Sequence, residues 1–471
     1  MAGSLQANPG FDLQPSGEQV ALPTNYITNF DFLSQYLPDT YEKEFERYGN
    51  RTISGFLRMV GAEMPTNSDM IKWAEQGRLH TKYVNVNADS AAAGNTGTFT
   101  VNDADKPANI AIRVGQTVFL TENTAGGTTN KAVVTAVTAD TFTVAYYEAG
   151  GQTFAQNDTV TVMIYGSEFK KGTNGMVGSI EADDVIFDNK PIILKDKYAV
   201  NGSDMAQIGW IEVTTENGAT GYLWYLKSEH ETRLRFDDYL ETAMIEAVPA
   251  ATGSGAEAAL SSASAAGTIN AGSEGIFYAV ENRGNVWSGG IPSTLADFDS
   301  IIGRLDKQGA IEENVLFVNR EMSFDIDDML AAQNSYGAGG TSYGLFDNDE
   351  QMALNLGFTG FRRGYDFYKS DWKYLNDPTM RGDLTTGVVN GLLVPAGSTT
   401  VYDQVLGKNA KRPFLHVRYR ASETEDRRYK TWITGSAGGA MNSDLDAMEV
   451  HFLSERAVCT MGANNFFLFE G

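Results

Sequence analysis

Leu223, Leu226, His230, Leu234, Leu240, Met244 and Ala247 recur at three- and four-residue steps, or at sums of them. That spacing is one face of an α-helix, and it predicts a helix over about Gly221 to Ala247. Glu229 precedes Arg233, and Glu231 precedes Arg235, by four residues, the favoured order for exposed pairs on a helix. Gly218 and Thr220 mark the start and Pro249 the end. At ~1.5 Å per residue such a helix is roughly 40 Å long. Periodicity alone leaves two roles open, a strut across a flat molecule or an ordinary amphipathic core helix.

Upstream the period changes to two. TFTV at 98–101, NIAIRVGQTVFLTE at 109–122, KAVVTAV at 131–137, TFTVAYYE at 141–148 and TVTVMIYG at 159–166 alternate and are separated by Gly, Asn, Asp and Thr turns. They predict a small all-β module of about five strands, a sandwich or a small barrel, inserted into a continuous strand system. Between 166 and 217, DVIF, PIILKDKYAV and QIGWIEV read as strands around charged turns. A long hairpin of that polarity is marginal alone and needs a surface to lie on.

Residues 1 to about 50 scatter Phe11, Tyr26, Phe30, Phe32, Tyr36 and Tyr41 without a period, as an extended arm or a disordered tail would. Tyr41 to Val60 reads as a helix, and Asn67 to Glu75 as a short one capped by Asn67 or Ser68. After the long helix, 251–267 is Ala/Ser/Gly-rich and reads as a flexible loop. Leu295–Gln308 then predicts a helix, Val315–Asn319 a strand and Ser323–Gln333 a helix, an α/β or α+β layer. The remainder is β-rich to its last residues.

Composition narrows the class. A chain of 471 residues is too long for one core, so two to four domains are expected. With 42% hydrophobic and 11% aromatic residues it folds. A net charge of −24 argues against overall attraction to nucleic acid or an anionic membrane. One cysteine, Cys459, allows no intramolecular disulfide, and it reads as a small buried residue on a late strand. The first twenty residues lack the basic and apolar regions of a signal peptide, and no run approaches the ~18 apolar residues of a membrane span.

The search for chemistry is mostly negative. His80, His230, His416 and His451 are not spaced for zinc, and His230 sits on the helix stripe as a structural residue would. GAGGTSYG at 337–344 is Gly-rich without a nucleotide-binding spacing and reads as a loop. Asp325, Asp327 and Asp328, and Asp347, Asp349 and Glu350, lack the calcium-loop pattern and suit at most adventitious cations. A carboxylate pair for glycoside hydrolysis is not sequence-local. The stretch 407–430 carries Lys408, Lys411, Arg412, Arg418, Arg420, Arg427, Arg428 and Lys430, interleaved with Phe414, Tyr419 and Tyr429. It reads as a nucleic-acid patch or as a basic strip that meets acidic surface on a second copy. No catalytic, cofactor-binding or metal-ligating residue is assigned, and the chain is not expected to be an enzyme.

The order of parts resembles the tailed-phage major capsid proteins with the HK97-type fold. An aromatic arm, a hairpin with a charged tip and an uninterrupted long helix follow one another as in that family. LADFDSIIGRLDKQGAIEENVLFVNREMSFDIDDMLAAQ is similar to the family's helix, strand ending in Val-Asn, and helix. AMEVHFLSERAVCTMGANNFFLFEG, with Glu455-Arg456 before a strand bearing Phe466, Phe467 and Phe469, is similar to its closing strands. Size and insertion point to a crAss-like phage of Bacteroidales.

The resemblance implies an α+β HK97-like fold with the following parts: arm and short helices at 1–80, inserted β domain at 81–165, and extended hairpin (E-loop) at 166–217. The spine helix and start of the peripheral domain then occupy 218–275, the axial domain 276–420, and the return to the peripheral domain 421–471. It implies a shell of hexamers and pentamers around double-stranded DNA held by non-specific contact. Portal, scaffold or decoration proteins are the implied partners, with no membrane. The implied location is the virion, after assembly in the host cytoplasm. The competing classes are a β-rich surface adhesin, which needs an export signal, and a glycan-acting enzyme, which needs a carboxylate-lined groove.

Overall fold

The computed structural model describes residues 62–78, 80, 82–89, 94–102, 110–150, 154–178, 184–206, 213–214, 220–221, 224–260, 271–309, 311–334, 359–403, 408–439 and 441–471. The arm, the helix expected at 41–60, the Gly-rich stretch 337–344 and Asp347, Asp349 and Glu350 lie outside these residues. The chain divides into two compact units. One comprises the residues up to Met70 with Asn189–Gly471, the other Ile71–Asp188.

Strand β1 (Ala62–Thr66) belongs to the first unit. The second unit begins with β2 (Ile71–Gln76) and continues with β3 (Lys82–Ala88), β4 (Thr96–Val101), β5 (Gln116–Glu122), β6 (Thr129–Val137), β7 (Thr141–Tyr146), β8 (Thr159–Ser167) and β9 (Asp184–Asn189). Strands β3 to β8 close a barrel in the order β3-β4-β7-β6-β5-β8, every pair antiparallel. Alternation drives the closure: Phe99, Val101, Val118, Leu120, Phe142 and Val144 point inward and are buried, while their neighbours face out. Phe99 and Phe142 stand opposite each other in register and stack at 5.4 Å.

The barrel has six strands where the pattern predicts about five. The extra one is β3. A register shift between Tyr83 and Val86 breaks its alternation, so the inward set Tyr83, Val86 and Ala88 does not stand out in sequence.

The helix expected at 67–75 is instead a turn and a strand. Ser68 Oγ accepts from Met70 N at 3.3 Å and donates to Met70 O at 2.9 Å, a local turn in place of a cap. β2 then pairs with β9, and Trp73 lies 6.3 Å from Phe187. Strand pairing across more than a hundred residues overrides a local propensity here.

In the first unit the chain runs through β10 (Ile192–Asn201), a turn of helix α1 (Gly202–Met205), the short pair β11 (Val213–Thr214) and β12 (Thr220–Gly221), then α2 (Trp224–Glu246) and α3 (Gly255–Leu260). It continues with α4 (Ile276–Arg283), β13 (Asn285–Trp287), α5 (Leu295–Gln308), β14 (Glu313–Val318) and α6 (Arg320–Asn334). Next come β15 (Gly360–Arg363), β16 (Tyr365–Asp371), α7 (Lys373–Asn376), β17 (Val389–Pro395) and the pair β18 (Ser398–Asp403) and β19 (Lys408–Pro413). β20 (Leu415–Arg420), β21 (Lys430–Gly435), β22 (Ala447–Thr460) and β23 (Phe467–Glu470) close the chain.

Two sheets organise this unit. The first has the order β1-β20-β22-β10, with β21 also on β22. The second is mixed, in the order β13-β23-β17-β14-β16-β15. α5 and α6 cover one face of the second sheet through Phe298, Ile301, Leu305, Met322 and Ile326. Its other face packs on α4 and the end of α2, and this core also takes Leu415, Val417 and Val458 from the first sheet. In β23, Phe467 and Phe469 enter the α5–α6 core, and Leu468, with Phe466 just before it, enters the other. Side-chain period two makes one strand the partition between two cores.

Three readings change. The strands expected to form a hairpin over 166–217 do not pair with one another among the described residues: β9 pairs with β2, and β10 with β22 over Ile192–Asn201. β10 buries Tyr198 and Val200 in a core shared with Phe236 and Leu240 of α2. The cut expected at 420/421 falls inside this unit, since β20 and β22 share a sheet across it and β23 joins the other sheet. Part of the 251–267 stretch is helical: Glu257 N donates to Ser254 Oγ at 3.2 Å, an N-cap that starts α3.

Candidate assembly interface

α2 lies on the sheet strands β10 and β22. Phe236 and Leu240 from the helix meet Tyr198, Val200, Met448, Val450 and Phe452 from the sheet. Phe236 is fully buried, edge-on to Tyr429 at 5.4 Å and 5.8 Å from Phe452. The buried stripe is therefore Thr232, Phe236, Leu240 and Met244, each four after the last. His230 and Leu234, expected on that stripe, are only half-buried. Arg235 donates to Asp196 of β10 from Nε and Nη2 at 3.2 and 3.0 Å.

That pair pins the helix over the edge of the sheet, because β10 has β22 on one side and no strand on the other among the described residues. Between β10 and α2 an open groove of about 350 Å³ remains. Leu194 and Lys195 form one wall, Tyr239, Thr242, Ala243 and Glu246 the other, and Phe236 its floor. Tyr239, in its wall, stays about half exposed, at 46%. An exposed aromatic residue on an apolar groove is a surface that natural proteins either cover or use for association. Sequence reasoning missed this seam. The signal available was the spacing of Phe236, Leu240 and Met244.

Four described cations of the basic stretch, Arg420, Arg427, Arg428 and Lys430, have acid partners in the chain. Arg420 pairs with Asp69 and stands 3.6 Å from Glu455, Arg427 reaches Glu455 at 2.7 Å, and Arg428 pairs with Glu63. Lys430 holds Glu425 at 2.7 Å, and Arg428 stacks over Tyr419 at 5.6 Å. Acids from β1 and its following turn and from β22 converge on the strip from far along the chain, which a linear reading of 407–430 cannot show. The side chains of Lys408, Lys411 and Arg412 lie outside the described set.

The titratable candidates are dispersed. His416 is buried with Nδ1 3.2 Å from Pro413 O, and His80 is exposed. His451 stacks on Trp432 at 5.0 Å, and its Nε2 faces both Thr434 Oγ1 at 2.8 Å and Glu449 at 3.5 Å. A proton relay needs acid and nucleophile on opposite ring nitrogens, so this trio is structural. Asp327 is tied to Lys369 at 2.5 Å in a largely buried pair. Among the described residues no group of three or more His, Cys, Asp or Glu could hold a metal ion. Cys459 lies buried on β22. No described helix is long and apolar enough to cross a membrane.

No protein-family model matches the chain, and no curated protein matches it. Solved structures do. It is similar to one from Microbacterium phage Oxtober96 at 9% identity, covering 92% of this chain and 96% of that one, with a TM-score of 0.38. It is similar to a structure described as the asymmetric unit of the bacteriophage PhiM1 mature capsid at 7% identity, covering 64% and 78%, with a TM-score of 0.34. It is also similar to a capsid structure of Cyanophage P-SCSP1u at 9% identity, covering 65% and 80%, with a TM-score of 0.35. These scores mark a distant likeness, below the level at which two chains superpose as one fold.

Proposed function

We propose that this chain is the major capsid protein of a tailed phage. In this reading it builds an icosahedral shell of its own hexamers and pentamers around double-stranded DNA, in an HK97-type arrangement with α2 as the spine helix. The observation that carries the reading is the seam between β10 and α2. It combines an apolar groove and the half-exposed Tyr239 on a framework pinned by Arg235 and Asp196. A second copy supplies the cover, and a rigid seam repeated by symmetry closes a shell. The β2–β9 pair, which leads into and out of the barrel, is the candidate for the extended hairpin, in place of 166–217.

Portal, scaffold or decoration proteins are the further partners, and DNA is held by non-specific contact only, consistent with the net charge of −24. The protein belongs to the virion and assembles in the bacterial cytoplasm. Its role is structural and uses no cofactor.

Negative-stain electron microscopy of the purified chain, taken from a sizing column, tests this. Closed particles, or rings of five and six, are expected. A Tyr239→Glu variant should remain folded and elute as a smaller species. Shells from that variant indistinguishable from wild type would remove the seam from the interface.

A further inference from the structure

The outer face of the barrel carries a groove of about 770 Å³ that capsid assembly leaves unexplained. Cross-strand register builds it. Phe119 on β5 stands opposite Lys131 on β6 and Met163 on β8, and Tyr147 N donates to Lys131 O just beyond β7. Tyr147 and Tyr165 line it at about half exposure, 50% and 48%. Exposed tyrosines on a barrel whose core is already filled have a cost that packing does not recover.

Their setting is ordered. The Tyr147 hydroxyl donates to Glu168 Oε2 at 2.5 Å, which locks ring and carboxylate together. Lys131 Nζ sits 5.8 Å from the Tyr165 ring centre. Asn130, 6% exposed, also lines the groove. Its Oδ1 accepts from Lys131 N at 2.7 Å, while its Nδ2 is buried with no hydrogen-bond partner. Asn130 lies on the inward side of β6 with Ala132 and Val134, so that donor belongs to the barrel interior and not to the groove wall.

The chemistry of these groups selects among ligands. Glu148 and Glu168 against one lysine give the groove a net negative charge, which disfavours nucleic acid and other polyanions. All six barrel strands are paired on both sides, so no edge accepts a peptide strand. Carboxylates and hydroxyls along the walls disfavour a lipid tail. A neutral polyol with one apolar face satisfies every element. Its C–H face packs on the tyrosine and phenylalanine rings, and its hydroxyls meet Glu168, Lys131 and the threonine groups. We propose that this groove binds a neutral hexose oligosaccharide.

Isothermal titration of the full-length protein with maltotriose, cellotriose and tri-N-acetylchitotriose, and with a fifteen-nucleotide oligothymidylate, tests this. Saturable binding of at least one trisaccharide is expected, weakened about tenfold or more by Tyr165→Ala and by Glu168→Gln. Thermal melting checks that each variant is folded, and the conservative Glu168→Gln carries the test if Tyr165→Ala is not. Absence of binding by all three sugars overturns the proposal. So does wild-type affinity in the folded variants, or binding of the oligothymidylate in place of the sugars. Shell formation by the wild-type chain does not depend on either result.

Discussion

Glu246 and Arg381 are 135 residues apart and meet in a two-pronged ion pair, with Nε 2.5 Å from Oε1 and Nη2 2.6 Å from Oε2. Tyr374 donates a third hydrogen bond to the same carboxylate, and the guanidinium lies over Phe277 at 5.0 Å. Glu246 is the last residue of α2, so this pair fastens the helix end to the second sheet's core. Arg381→Ala strands a carboxylate and a phenol that are mostly buried. The loss expected is about 1–3 kcal/mol, below the range for fully buried pairs because both partners keep some solvent contact. Arg381→Lys keeps the charge without the fork and should fall between. Urea unfolding midpoints measure both; a lysine variant as stable as wild type would show that the fork geometry is irrelevant.

Phe236 and Leu234 separate the observed helix face from the expected one. Phe236→Ala should cost about 3–5 kcal/mol, because the ring is fully buried between Tyr429 and Phe452. Leu234→Ala, at a half-buried position, should cost less than about 1.5 kcal/mol. Equal losses in thermal or chemical unfolding would contradict the packing of α2 on β10 and β22.

Glu449 gives a pH-dependent test. A hydrogen bond and ion pair from Lys197 at 2.8 Å hold its carboxyl below the usual glutamate range. A depressed folded pKa means that stability is present in full above the unfolded value, about 4.3, and is lost as pH falls through the lower folded value. Lys197 is largely exposed, so the pair contributes at most about 1 kcal/mol. Glu449→Gln should therefore melt slightly lower than wild type at pH 7, and the two curves should converge in acid. A gap that widens on acidification would reverse the sign and refute the pairing.

Arg427 and Lys430 both bind acids but should behave differently. Arg427 reaches the mostly buried Glu455, whereas Lys430 and Glu425 are each more than 40% exposed. Arg427→Ala should lower the unfolding midpoint clearly, and Lys430→Ala should leave it nearly unchanged. Because the arginines are used inside the chain, raising salt should weaken assembly little. Shells that dissolve between about 0.1 and 1 M salt, where screening shortens from ~10 to ~3 Å, would restore the strip to an interface role.

What could be read in advance follows from where the signals lie. α5 was legible because its start and stop are local: Thr294 and Asp297 form a capping box, and Gly309 at φ +73° ends the helix in a left-handed turn. The barrel strands were legible through their alternation, except β3, where the register shifts. The stretch at 67–75 was misread because β2 owes its conformation to β9, far along the chain. The role of β10 was hidden because its partner β22 lies some 250 residues away, and an adjacent strand is the default expectation. The seam beside α2 inherits that difficulty, since it exists only once β10 is placed at the edge of the first sheet. The acids that pair with the arginines of the basic strip, Glu63, Asp69 and Glu455, come from elsewhere in the chain, which a linear reading of 407–430 does not show.

β23 slots between β13 and β17 only after both of them have been synthesised, and its alternate side chains belong to two cores at once. A chain growing from the ribosome therefore holds an unfilled slot in its second sheet until Phe466 to Phe469 emerge. The end of α2 packs against one of those two cores, so the seating of that helix end matures late.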